Sequence, residues 1–215
     1  MMKWQKRFSM NRIIPRWVKV FVTQIQEILS WSRRSFEAPS PSFIKRSVLI
    51  RNGSHGATWV ETGTYRGETT RILARNAPVV YTIEPSQRYF EIAKRRLRRY
   101  KNVFVIKGTS EESLPNVLEK ISGDVNFWLD GHYSGGETFQ ATRNTPIVSE
   151  MAVIEKKLRS FGKVVVIIDD LRCFGSTNPD YLGYPSIDFL IQWAIKMELN
   201  WKMEHDMFIA KNFID

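Results

Sequence analysis

Short apolar runs alternating with amphipathic helical patterns predict an α/β fold with a mainly parallel, seven-stranded sheet covered by helices on both faces. Three observations carry this. Runs rich in Val, Ile and aromatics recur at 57–61, 79–84, 103–107, 125–129 and 163–168. Helical patterns separate them at about 67–76, 86–100, 111–120 and 146–160, the spacing of strand–helix–strand units. The rhythm then breaks: a helical stretch at 185–198 precedes Asn200–Glu204 and Met207–Phe213, two strand-like runs joined by His205–Asp206, which read as a closing antiparallel hairpin.

The 215 residues suffice for one buried domain with an appendage. Two segments are expected: a basic amphipathic arm over 1–37 and the α/β body over 38–215, separated by Ala38-Pro-Ser-Pro-Ser42. In the arm, Trp17, Val18, Phe21, Ile25, Ile28 and Leu29 recur at helical steps after Pro15, which suits a first helical position. Of the net charge of +10, residues 1–36 hold +7, from eight Lys/Arg against Glu27. The rest has 24 basic and 21 acidic residues. That balance argues against a basic groove running through the body, so nucleic acid is not the expected partner. A stripe of this kind serves a helix docked on the body, or one lying on an anionic membrane surface.

Lys19 interrupts the apolar residues of the arm, and no run approaches the ~20 residues of a membrane span, so neither a secretory signal nor a transmembrane helix is expected. One cysteine, Cys173, excludes an intrachain disulfide and reads as a packing residue. The expected setting is cytoplasmic, with peripheral membrane contact through 1–36. The basic side of the helix at 86–100, with Lys94, Arg95, Arg96, Arg98 and Arg99, reads as a solvated face.

The segment Trp59-Val-Glu61-Thr-Gly63-Thr64-Tyr65-Arg-Gly67-Glu runs from a strand end, through two glycines, into a helix. Glycine serves where backbone turns tightly against a ligand. About 20 residues on, Glu84 ends the next strand, where an acid accepts ribose hydroxyls or, more blandly, complements a helix start. Turn and acid together point to a ribose-containing cofactor. They resemble the first two cofactor motifs of class I S-adenosylmethionine-dependent methyltransferases. That resemblance spans 43–213 and implies a Rossmann-like fold. It places Glu61, Gly63, Thr64, Tyr65 and Gly67 around the methionine end, Glu84 on the ribose, and Thr109 and Ser110 near the adenine.

A second constellation pairs Phe127-Trp-Leu-Asp130-Gly-His132 with Val166-Ile-Ile-Asp169-Asp170, acids just past two predicted parallel strands. Converging carboxylates repel one another unless a cation or N–H donors compensate, and hard oxygen donors suit Mg²⁺. The pattern resembles the metal triad of macrocin-type sugar O-methyltransferases, and a related one occurs in catechol-type enzymes. The resemblance implies Asp130, Asp169 and Asp170 as Mg²⁺ ligands, with His132 beside Asp130 as catalytic base. The polar stretch 134–145 reads as a substrate lid, and Arg143 and Arg172 are candidates for an anionic group or a salt bridge.

These readings converge on methyl transfer from S-adenosylmethionine to oxygen, with a carbohydrate hydroxyl as the acceptor implied by the resemblance. The rivals are a phenol or catechol O-methyltransferase, and a non-catalytic nucleoside-binding partner in a glycan-assembly complex. A nucleic-acid methyltransferase is disfavoured, because no Asn/Asp-Pro-Pro-Tyr-like motif is present.

Overall fold

A computed structural model of the chain describes residues 15–131 and 145–214. Residues 1–14, His132 and the expected lid apart from Thr145, Arg143 included, lie outside the described residues.

Seven strands form one sheet: β1 (Thr58–Thr62), β2 (Val80–Glu84), β3 (Val103–Lys107), β4 (Val125–Leu129), β5 (Val164–Ile168), β6 (Asn200–Glu204) and β7 (Met207–Lys211). Their order is β3-β2-β1-β4-β5-β7-β6, with β1 to β5 parallel and β7 antiparallel to both β5 and β6. This is the expected mainly parallel sheet with its closing hairpin. The hairpin turns on His205 and Asp206, both at positive φ (48° and 67°), the backbone that a two-residue turn between right-twisted strands requires.

Helices α3 (Glu68–Asn76), α4 (Gln87–Leu97), α5 (Ser110–Leu118), α6 (Ile147–Leu158) and α7 (Ile187–Lys196) follow the strands. The central strands β4 and β5 are buried at every position, as continuous apolar runs covered on both faces should be. One core cluster gathers Phe127, Val166 and Phe208 with Met151 and Ile154 of α6 and Leu190 of α7. The opposite cluster gathers Trp59, Trp128, Val165 and Ile167 with Leu73 of α3.

Two further helices precede the sheet. The arm forms α1 (Arg16–Arg33), as expected. Its apolar residues stay largely in solvent, with Trp17 72%, Phe21 58% and Leu29 51% exposed, so the docked-helix reading does not describe this face. Its polar side meets the body, where Glu27 Oε1 accepts from the Ser42 hydroxyl at 3.4 Å and the Trp31 ring lies 5.9 Å from that of His205. Among the described residues no helix is long and apolar enough to cross a membrane.

The second, α2 (Ser42–Asn52), was not anticipated from the sequence. It lies directly after the proline-rich stretch, and only Val48, Leu49 and Asn52 along it are buried. Val48 and Leu49 join the cluster around Trp59 and Trp128. Residues three and four apart share a helix face, so the face that buries Val48 and Leu49 also carries Lys45 inward.

Candidate active site

Register gathers the site. Thr62 of β1, Leu129 of β4 and Ile168 of β5 lie side by side at the carboxyl ends of three neighbouring strands. The residues that follow them, Gly63, Asp130 and Asp169, therefore arrive in a row, and ladder hydrogen bonds continue into it. Asp130 N–H donates to Thr62 O (3.1 Å), Asp169 N–H to Leu129 O (3.1 Å) and Gly63 N–H to Ile83 O (3.0 Å). Glu84 ends β2 one strand over. In open α/β sheets this rim is where ligands bind.

At the glycine turn, Gly63 sits at φ 85°, and a Cβ there would fall 2.2 Å from the backbone oxygen of Asp130. Only a hydrogen fits between the β1 and β4 loops. Gly67, at φ 72°, starts α3 in the left-handed region. Tyr65 also has positive φ, 48°. Its amide donates to Glu84 Oε2 at 2.6 Å, and the Ser86 amide donates to Glu84 Oε1 at 2.9 Å. The strand-two acid thus ties its own loop to the glycine turn. An ionised carboxylate accepts about four hydrogen bonds, so capacity remains for ribose hydroxyls. Burial raises the Glu84 pKa, partly offset by the Ser86 and Tyr65 amides.

Glu61 is placed differently from Glu84. It is 1% exposed, and its Oε2 accepts from Thr70 (2.5 Å) and Thr82 (2.6 Å) beneath the turn. Thr64 extends the chain through a 2.5 Å contact with the Thr82 hydroxyl. Burial pushes the Glu61 pKa up to about 8 despite the Thr70 and Thr82 hydrogen bonds, so near neutrality it is largely protonated. Here Glu61 and Thr64 brace the cradle from below. Thr109 caps α5 through the Glu112 amide, and Ser110 is buried at the start of that helix.

The acids converge. Asp130, Asp169 and Asp170 each bring an oxygen to within 4.8 Å of the others. Three groups that the sequence did not assign to the site, Lys45, Asp206 and Glu150, join them, together with Arg172, which takes the expected role of a salt-bridge partner. Lys45 Nζ donates to Asp169 Oδ1 at 2.5 Å and to Asp170 Oδ1 at 3.1 Å. Asp206, carried to this rim by the antiparallel hairpin, lies 3.8 Å from the same nitrogen. Arg172 donates to Asp170 Oδ1 at 2.6 Å and also pairs with Asp206. Burial opposes the charge on Lys45, but Asp169 and Asp170 outweigh it and raise its pKa. Burial first, then the neighbouring Asp130 and Asp170, pushes the Asp169 pKa up to about 7 against the pull of Lys45. Asp170 holds its side chain from a left-handed backbone, φ 55°, a strained position of the kind found at functional sites.

The third unanticipated group is Glu150 of α6. It is 1% exposed, its Oε1 has no close hydrogen-bond partner among the described residues, and burial pushes its pKa up to about 7 against the pull of Ser110 and Thr62. With Asp130, Gly131, Thr145, Asp169 and Tyr184 it lines a small cleft at the rim. One signal was available: Glu150 falls on the stripe Ile147–Met151–Ile154–Leu158, where an acid has no packing role. Cys173 is buried, and burial raises its pKa to about 11, so it remains an unreactive thiol, as expected of a packing residue.

No family model matches the chain, and no curated protein matches its sequence. Its fold is that of class I S-adenosylmethionine-dependent methyltransferases, as comparison with solved structures shows. An O-methyltransferase from Bacillus cereus in complex with SAH superposes with a TM-score of 0.53 at 18% identity, over 94% of this chain and 93% of that one. The N-methyltransferase NodS from Bradyrhizobium japonicum WM9 superposes with a TM-score of 0.50 at 13% identity, over 79% of this chain and 93% of that one.

Proposed function

We propose that the chain is an S-adenosylmethionine-dependent methyltransferase acting on oxygen, with a carbohydrate hydroxyl as acceptor in the manner of the macrocin-type enzymes. One observation carries the reading: Glu84, the Gly63 turn and the carboxylate cluster stand in a row on consecutive strand ends, with Gly63 packed against Asp130. A donor held on the glycine turn would therefore present its methyl group next to acids able to orient a hydroxyl and take its proton. The fold's relation to an SAH-bound O-methyltransferase supports the same donor.

The residues present fit that donor. Gly63 lets the turn close against the Asp130 backbone, and Glu84 retains acceptor capacity for ribose hydroxyls. When bound, S-adenosylmethionine supplies an electrophilic methyl on a sulfonium. Asp130 and the Lys45 ammonium would orient the acceptor oxygen, and His132 would receive its proton as the O–CH₃ bond forms and the S–CH₃ bond breaks. Thr109 and Ser110 would stand on the adenine side.

A Mg²⁺-assisted version of this reading takes Asp130, Asp169 and Asp170 as ligands. Those residues do not fit a divalent ion as arranged, because Lys45 Nζ already lies against two of them. That version requires the lysine to withdraw.

The test is calorimetry with SAH followed by methyl transfer to a panel of sugars, phenols and catechols. SAH binding with turnover on sugars, falling about a hundredfold or more in Asp169→Ala, supports the reading. Turnover confined to phenols or catechols would move the acceptor class, and SAH binding without turnover on any acceptor would favour a nucleoside-binding partner protein.

A further inference from the structure

Lys45 is anchored as a built part of the site. It lies one turn before Leu49 on a helix whose Val48 and Leu49 are each 1% exposed in the core, and its own side chain is 12% exposed. The stem is thereby directed to the rim, and Nζ meets Asp169 at 2.5 Å and Asp170 at 3.1 Å. The oxygens it meets are otherwise engaged by N–H donors as well: Asp169 Oδ1 accepts the Asp170 amide at 2.8 Å, and Asp170 Oδ1 accepts Arg172 at 2.6 Å.

We propose that Lys45 is the resident cation of this cluster: its ammonium stands in the place of a divalent ion and excludes Mg²⁺ and Mn²⁺ from Asp130, Asp169 and Asp170. What the cluster acts on rests on the methyl-transfer reading; which cation it holds does not.

The physical reason is proximity. Mg²⁺ binds oxygen at about 2.1 Å. An ion ligated through Asp169 Oδ1 would lie within about 5 Å of an ammonium only 2.5 Å from that same oxygen. Three positive charges would then share a site from which water is largely removed. An ammonium also differs from a metal in what it offers. It is covalently tethered, so its occupancy does not depend on ion concentration, and it acts as a hydrogen-bond donor rather than a Lewis acid. Asp169 and Asp170 accept two of its three N–H groups, and Asp206 lies 3.8 Å from the same nitrogen. Arginine in its place would preserve the charge; methionine would keep the stem and remove the charge.

The experiment titrates Mn²⁺ into the full chain, read by electron paramagnetic resonance, for wild type, K45M and K45R, with SAH binding measured on the same samples. Wild type and K45R should show no saturable Mn²⁺ binding at millimolar concentration, whereas K45M should bind it about tenfold more tightly or better. Wild-type binding as tight as that of K45M, or a gain in K45R equal to that in K45M, overturns the assignment. Should K45M not fold, the wild type decides. Saturable Mn²⁺ binding that Asp169→Asn abolishes overturns the assignment, and its absence from a protein that still binds SAH supports it. Failure of every sample to bind SAH, with the Mn²⁺ contrast intact, removes the methyl-transfer reading and leaves Lys45 as the resident cation.

Discussion

Glu150 brings a buried carboxyl into the rim, and its pKa of about 7 makes a prediction with a definite sign. The folded chain keeps this proton up to about pH 7, while an unfolded glutamate releases it near pH 4.5. Its contribution to stability is therefore fully present below pH 4.5 and is lost as pH rises through 7. Glu150→Gln removes that loss. The stability difference between variant and wild type should widen by up to about 3 kcal/mol between pH 5 and pH 8 in urea denaturation. A constant difference across that range would show that the carboxyl is satisfied by a partner. Gly63 offers a second test at the same scale. Alanine there adds a left-handed strain of about 1–2 kcal/mol and drives Cβ to 2.2 Å from a backbone oxygen that has little room to move. SAH affinity in Gly63→Ala should fall about tenfold or more by calorimetry; an unchanged value would take the turn out of the cofactor site. Both residues were visible in the sequence to different degrees. Gly63 announced itself through the strand–glycine–helix pattern. Glu150 had only its place on an apolar stripe, and what makes it notable, the closeness of Gly131 and Thr62, comes from chain segments far apart in sequence.

Elements were legible where periodicity was strong and opaque where it was weak. The buried runs of β4 and β5 and the stripes of α3 and α4 carry unmistakable patterns, so their positions followed from the residues alone. In α2 the apolar residues come as the runs Phe43-Ile44 and Val48-Leu49-Ile50, interleaved with Lys45, Arg46 and Arg51, and most of its surface is not buried. A short helix of that composition is held by tertiary contacts rather than by its own pattern. Missing it meant missing Lys45, which is why the acids pointed to a metal and not to a lysine. Asp206 was hidden for a related reason: a turn residue reads as a turn until the antiparallel pairing of β7 with β5 carries it to the rim. The helix α1 is legible as amphipathic, yet its apolar side stays largely exposed among the described residues. An exposed stripe of Trp17, Val20, Phe21 and Leu29 with basic neighbours favours insertion at an anionic lipid surface. In flotation the full chain should rise with vesicles containing anionic lipid and release at high salt, while a chain starting at Ala38 stays below and still binds SAH. Equal partitioning of the two would exclude a membrane role for the arm.

For the molecule as a whole, topology accounts for why unrelated segments make one site. Five parallel strands deliver the loops after β1, β2, β4 and β5 to a single rim, and the reversed hairpin adds its own turn to the same place. Helix α2, packed beside α3 with Arg46 paired to Glu68 at 3.3 Å, contributes the cation from outside the sheet. A ligand seated on this rim would touch elements drawn from most of the chain, so its binding should stabilise the fold globally rather than one loop. Mass action sets the size: a ligand at 100 times its Kd adds about 2.7 kcal/mol to the folded state. SAH at that excess should raise the unfolding midpoint of the full chain accordingly. Because the cation is a side chain and not a bound ion, the increment should be the same with chelator present as without it. An SAH increment that vanished on chelation would tie donor binding to a free metal ion and would dissolve the link between Lys45 and the rim. An increment equal in wild type and in Gly63→Ala would instead place the nucleoside away from the glycine turn, and with it the reason for assigning methyl transfer to this sheet edge.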